Sequence, residues 1–292
     1  MRIGVFYLVK VLVLGAGGML GHTLLRFLCQ SEDIRAVGAV RASAPPERLS
    51  PAVARLVRTG VEASDEAALR GLLEAVRPDV VVNCVGLVKQ RPNGQNPEAT
   101  LVANALVPHR LARLSAAAGA RLIHIGTDCV FSGAAGDYTE KDLPDADDFY
   151  GRSKLLGEVT YGNAVTLRTS MIGPELVAGV GLLEWFLRQS GPAFGYRRAI
   201  FSGLPTVEVA RVIRDYVLPF PDLRGLYHLS AAPISKLDLL ALVKEVYGAP
   251  ATLVPDDSVK LDRSLNSTRF RTATGYEPPD WPSLIAAMHA FG

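Results

Sequence analysis

The run Val11-Leu-Val-Leu-Gly15-Ala-Gly-Gly18-Met19-Leu20-Gly21 constrains the fold more than any other segment, because a short apolar stretch breaks there into glycines at three-residue spacing. Four consecutive apolar residues read as a strand buried on both faces, and the residues after Gly18 read as a helix start. A strand, a glycine turn and a helix in that order aim free backbone N–H groups and the positive end of a helix dipole at one point. Such a point suits a diphosphate. The spacing is GxxGxxG, however, and the commoner GxGxxG fingerprint would put a glycine where Leu20 stands. The dinucleotide reading therefore needs support from the rest of the chain.

Support comes from the alternation that follows. Apolar, β-branched runs predict strands at residues 10–14, 34–40, 80–85, 121–125 and 164–167, with a weaker one around Val61. Helical periodicity fills the gaps at 19–29, 66–76, 99–118 and 149–161, with Pro78 and Pro97 at boundaries where proline is tolerated. Repeated βαβ units imply an α/β fold of Rossmann type, a doubly wound parallel sheet over residues 10–170. Beyond Ser170 the alternation weakens, Gly/Pro turns multiply, and helices are predicted at 181–189, 207–216, 235–247 and 282–291. Residues 171–292 read as a smaller mixed α/β C-terminal domain that holds substrate, with the chain crossing between the two parts more than once.

Composition narrows the function classes. With 49% hydrophobic and 21% charged residues the chain suits an ordered core, and a net charge of +2 argues against nucleic acid as the main partner. Cys29, Cys84 and Cys129 form no CxxC pair, so neither a disulfide framework nor a metal site is indicated, and a reducing cytoplasm fits best. No apolar stretch is long enough for a membrane span, and residues 1–8 read as a short extension or a mis-assigned start.

The predicted strand ends carry the polar residues. Arg41 follows the second strand, where an acidic residue would hold a ribose 2′-OH; an arginine pairs instead with a 2′-phosphate, which favours NADPH over NADH. Glu62 is placed to accept from an adenine amine, and Asn83-Cys84-Val85-Gly86 ends a strand at the carboxyl edge where open α/β folds bind ligands. Tyr150-Gly-Arg-Ser-Lys154 puts a phenol and an ammonium on one helix face. With nine tyrosines that spacing alone favours a plain surface helix, but the strand 121–125 delivers Thr127 and Asp128 to the same edge. Reduction of a ketone by hydride leaves an alkoxide that needs a proton, and Tyr150 is the candidate acid. Lys154 would lower its pKa, and Thr127 would fix the carbonyl oxygen. His22 and His124 read as core histidines, Trp185 and Phe186 as packing, and Cys129 has no histidine placed to activate it.

Taken together, Gly15-x-x-Gly18-x-x-Gly21, Pro78-Asp-Val-Val-Val-Asn83, Asn104, Gly126-Thr-Asp-Cys-Val-Phe131, Tyr150-x-x-x-Lys154, Leu167-Arg-Thr-Ser170 and Gly203-Leu-Pro-Thr206 resemble the extended short-chain dehydrogenase/reductases, within them the dTDP-4-dehydrorhamnose reductase-like group. The resemblance implies a Thr127, Tyr150, Lys154 catalytic set and cofactor contacts from Gly15, Gly18, Met19, Leu20, Gly21, Arg41, Glu62, Cys84, Val85, Gly86, Lys89, Asn104 and also Tyr150 and Lys154. It further implies a nucleotide-diphosphate sugar near Thr127, Asp128, Cys129, Met171 and Arg263, and an NADPH-dependent reduction of a 4-keto-6-deoxysugar. NADH as cofactor, a homodimer, an epimerase with tightly bound NAD, and a non-catalytic dinucleotide-binding regulatory subunit stay open. Cys129 stands where sugar dehydratases of the superfamily carry Glu and where the reductase-like group usually has Tyr, and Met171 replaces a frequent aromatic.

Overall fold

A computed structural model describes residues 8–88, 96–176, 179 and 181–292. Its centre is a seven-stranded parallel sheet built from β1 (Val9–Leu14), β2 (Ile34–Ala39), β3 (Val57–Arg58), β4 (Val80–Asn83), β5 (Arg121–Ile125), β6 (Ala164–Arg168) and the strand Gly225–His228. In space the order is Gly225–His228, β6, β5, β4, β1, β2, β3. The direction of winding reverses between β1 and β4, whose Leu14 and Asn83 are register partners at the carboxyl edge. Such a reversal leaves a crevice above the sheet.

Alternate residues of each strand meet opposite helical layers. Val11 and Val13 pack with Leu24 and Leu25 of α1 (Met19–Leu28), whereas Leu12 and Leu14 pack with Leu69 and Leu73 of helix Glu66–Val76 and with Leu111 and Leu114 of helix Val107–Ala117. Full burial of one such side chain is worth about 1.5–3 kcal/mol. A strand without a polar face is stable only when both sides are covered, which explains the uniformly apolar runs.

The second half of the chain crosses back into the first. Gly225–His228 pairs with β6, helix Thr206–Val212 packs on α1, and the core on the α1 face continues into Leu239, Phe270 and Trp281. A boundary at residue 170 therefore does not divide the sheet. The strand expected around Val61 lies instead at Val57–Arg58; Gly60, at φ +70°, turns the chain, although the Val61 N–H still reaches the Val40 carbonyl at 3.0 Å. The helix expected over 149–161 ends at Leu156 with Gly157 as its C-cap, a position that admits no Cβ because the Asn104 carbonyl lies against it. The helix expected from residue 99 begins at Pro97 under an Asn96 cap and contains a π-turn, Val102–Leu106, that carries Asn104. Among the described residues no helix is long and apolar enough to cross a membrane, and the first seven residues lie outside those described.

Candidate active site

A cleft of about 1690 Å³ runs along the carboxyl ends of β1, β2, β4 and β5. Its floor is the glycine turn. Gly15 sits at φ +79°, and a Cβ there would lie 2.9 Å from the Cys84 carbonyl oxygen. Gly18 caps α1 with its N–H on the Gly15 carbonyl at 2.9 Å, and no side chain caps the helix. Gly18, Met19 and Leu20 line the cleft, so the first turn of α1 presents unclaimed backbone donors to it. Gly21 does not line it: a Cβ there would meet the Gly15 carbonyl at 2.1 Å, so this glycine serves helix-to-strand packing rather than contact with a ligand. Gly38, absent from the sequence-based set, does similar work, since a Cβ there would lie 2.8 Å from the Ala16 side chain.

Arg41 and Glu62 both line the β2 end of the cleft. Arg41 is exposed. Glu62 Oε1 accepts from the Ser64 N–H at 3.1 Å and from the Ser64 hydroxyl at 2.9 Å, so that oxygen is already engaged within its own loop. Arg48 joins the lining from behind Pro45 and Pro46, its Nη1 donating to the Glu175 carbonyl at 3.4 Å. The sequence offered little to single it out among the neighbouring arginines.

The wall above β4 is made of Cys84, Val85, Gly86 and Leu87. Asn83 Oδ1 accepts the Val85 N–H at 3.0 Å, while Asn104 accepts the Leu87 N–H at 2.8 Å and donates to the Leu87 carbonyl at 3.0 Å and to Ser153 Oγ at 3.1 Å. Asn104 is buried and spent on these bonds. It holds the wall from behind and is not itself among the residues lining the cleft. Burial pushes the Cys84 thiol up to about 12, so it stays protonated. Lys89 lies outside the described residues.

Facing this wall is helix Phe149–Leu156, whose start is capped by Asp148 accepting the Gly151 N–H at 2.7 Å. Gly151 lets the helix approach closely, because a Cβ there would sit 2.2 Å from the Cys129 carbonyl. The approach brings Tyr150 close enough to Thr127 for that hydroxyl to act on the phenol. Thr127 Oγ1 accepts the Cys129 N–H at 3.2 Å and donates to Asp128 Oδ1 at 3.3 Å. One turn on, Lys154 is buried with Nζ donating to the Ile125 carbonyl at 2.9 Å. All three residues line the cleft.

Electrostatics in the protein alone differ from the expectation. Burial pulls Lys154 down to about 8, with Glu158 and Cys84 opposing. Burial also raises the Tyr150 phenol, helped by Cys129 and Asp128, while the Thr127 hydrogen bond pulls the other way. The phenol is thus raised overall, where a depression was expected. Asp128 is raised by burial against the opposing charge of Arg263.

Arg263 itself stands behind Cys129, with Nε on the Phe131 carbonyl at 2.7 Å and Nη1 on Cys129 Sγ at 3.5 Å, and it does not line the cleft. Met171 does line the cleft, half-buried, and Cys129 is pushed up to about 12 by burial, which leaves it an inert thiol. His22 and His124 are buried, as is Phe186, whereas Trp185 is 38% exposed. No cluster of three or more metal-ligating side chains occurs among the described residues.

This geometry has relatives. Residues 9–179 match the family model described as the RmlD substrate binding domain. The chain belongs to that family. It is 30% identical over 263 residues to methionine adenosyltransferase 2 subunit beta of Danio rerio, covering 84% of this chain and 76% of that protein. It is 31% identical over 183 residues to dTDP-4-dehydrorhamnose reductase of Streptomyces griseus, covering 59% of this chain and 54% of that protein. Among solved structures, dTDP-4-dehydrorhamnose reductase of Bacillus anthracis in complex with NADP superposes with a TM-score of 0.76 at 19% identity, over 97% of this chain and 99% of that one. At that identity the likeness speaks for the fold.

Proposed function

We propose that this chain is an NADPH-dependent reductase of a nucleotide-linked keto sugar, of the 4-keto-6-deoxysugar type. The observation that carries the reading is the meeting of Thr127, Tyr150 and Lys154 in one cleft with the glycine turn and Arg41. The residues present fit a dinucleotide: α1 opens on the cleft without a side-chain cap, and Gly15 has no room for a Cβ. The dTDP-4-dehydrorhamnose reductase structure in complex with NADP supports the same choice.

Bound NADPH supplies a hydride for the carbonyl carbon of the sugar. The rest is the work of this chain. Thr127 turns its one hydroxyl proton from Asp128 to the carbonyl oxygen and orients it, and Tyr150 delivers a proton to that oxygen as negative charge develops on it. A phenol is protonated at neutral pH and burial raises that of Tyr150 further, so it starts in the state a proton donor needs. Lys154, charged below about 8, stabilises the phenolate left behind. The backbone donors of α1 hold the diphosphate, and Arg41 pairs with the 2′-phosphate.

A second reading has its own support, since the relatives named methionine adenosyltransferase 2 subunit beta match over most of the chain. In that reading the protein binds dinucleotide and regulates a partner without turnover. The test is NADPH oxidation against a panel of nucleotide-linked 4-keto-6-deoxysugars, with Tyr150→Phe as control. Turnover that depends on Tyr150 supports the reductase; tight NADPH binding with no turnover on any sugar supports the regulatory subunit.

A further inference from the structure

Asn83 and His124 are register partners on β4 and β5, and both are fully buried. Asn83 Nδ2 donates to His124 Nδ1 at 3.1 Å, which makes Nδ1 the acceptor and fixes the proton on Nε2. That Nε2 is buried without a hydrogen-bond partner. An imidazole with half its capacity unmet is a worse occupant of a sheet interior than an aliphatic residue, so packing alone does not account for it. The acceptor at Nδ1 does, because of what Asn83 holds at its other end.

Val85 lies just past the end of β4, and its N–H is taken by Asn83 Oδ1 at 3.0 Å. The amide orientation that permits this requires the Nδ2 side to find an acceptor inside the sheet, and His124 is that acceptor. His124 also stands three residues before Thr127 on the same chain. We propose that His124 is a positioning residue, which through Asn83 fixes the Val85 backbone and so sets the cleft wall relative to Thr127 for cofactor binding. The proposal rests on the dinucleotide reading of the cleft.

Three substitutions separate positioning from packing. His124→Asn keeps an acceptor near the place of Nδ1, His124→Gln moves it toward the place of Nε2, and His124→Leu removes it. Amide hydrogen exchange across residues 83–88 and NADPH affinity by calorimetry are read on the full chain. For the Gln and Leu variants, Val85 exchange is expected to accelerate and the NADPH Kd to rise, each by about tenfold, the scale of one lost buried hydrogen bond. His124→Asn is expected to restore both to within about threefold. If Asn is no better than Gln and Leu, or if all three match the wild type, the proposal is overturned. Should the His124 variants unfold, Asn83→Ser cuts the same relay from the other side and must give the Gln result. A wild-type chain that binds neither NADPH nor NADH overturns the cofactor reading instead, and the Val85 exchange pattern still decides whether His124 orders the wall.

Discussion

The two sides of the cleft are made of different materials. At the β1 side the cleft is lined by backbone, namely the Gly15 to Gly18 turn and the first N–H groups of α1, and at Gly15 a side chain is excluded because a Cβ would lie 2.9 Å from the Cys84 carbonyl oxygen. At the β5 side they are side chains, Thr127, Tyr150 and Lys154, held by caps and buried carbonyl bonds such as Lys154 Nζ to Ile125 at 2.9 Å. Backbone donors cannot be tuned by substitution, only blocked. Side-chain groups can be changed one atom at a time. The backbone side should therefore control binding and the side-chain side chemistry, and substitutions on each side should separate the two.

Tyr150→Phe is the largest expected separation: reduction falls about a thousandfold, within the range for loss of a general acid, while the NADPH Kd moves less than about threefold. Steady-state kinetics beside calorimetry measures both, and a matching loss of affinity would break the division. Gly15→Ala attacks the other side. With φ at +79° and the Cys84 carbonyl 2.9 Å from the new Cβ, the turn must move, so NADPH affinity drops about a hundredfold and thermal stability falls by about 2–4 kcal/mol. Unchanged affinity would remove the turn from its role.

Arg41→Ala sharpens the comparison at the β2 end: kcat/KM with NADPH falls about tenfold and that with NADH holds, as one charge-assisted contact predicts. Equal loss with both cofactors would deny the 2′-phosphate assignment. The smallest effect is the pH limb. Lys154, lowered to about 8 by burial, is charged below that value and neutral above it, so kcat/KM declines to about half near pH 8. The unfolded lysine keeps its proton up to its ordinary value, so its linkage makes the fold more stable, not less, as pH rises from about 8 to 10.5. An alkaline loss of activity therefore does not come from this group unfolding the protein. Lys154→Arg should flatten the limb, and an unchanged limb would assign it to another group.

The same contrast separates what is legible in the sequence from what is not. The β1 side is local: strand, glycines and helix follow one another within about a dozen residues, and each rule that applies there spans one turn of chain. The side-chain side joins Thr127 to Tyr150 across more than twenty residues, yet it too was visible, because both motifs end or begin a regular element. Interactions that tie distant segments were not. Asn104 resembled a cofactor ligand, and only its pairing with Leu87 and Ser153 shows it bracing the wall. Arg263 is turned onto the Phe131 carbonyl 132 residues away, a commitment no spacing rule encodes. The strand Gly225–His228 joins the sheet although the alternation had already faded, because a single edge strand leaves a weak periodic signal.

Reduction with NADPH carrying deuterium at the transferable nicotinamide position tests the central claim most directly. The account expects one deuterium on the carbon of the sugar that was the ketone, one oxidised cofactor for each product formed, and loss of both in Tyr150→Phe. A sugar product formed without label and without net cofactor oxidation would contradict it, as would tight NADPH binding with no deuterium passed to any nucleotide-linked keto sugar.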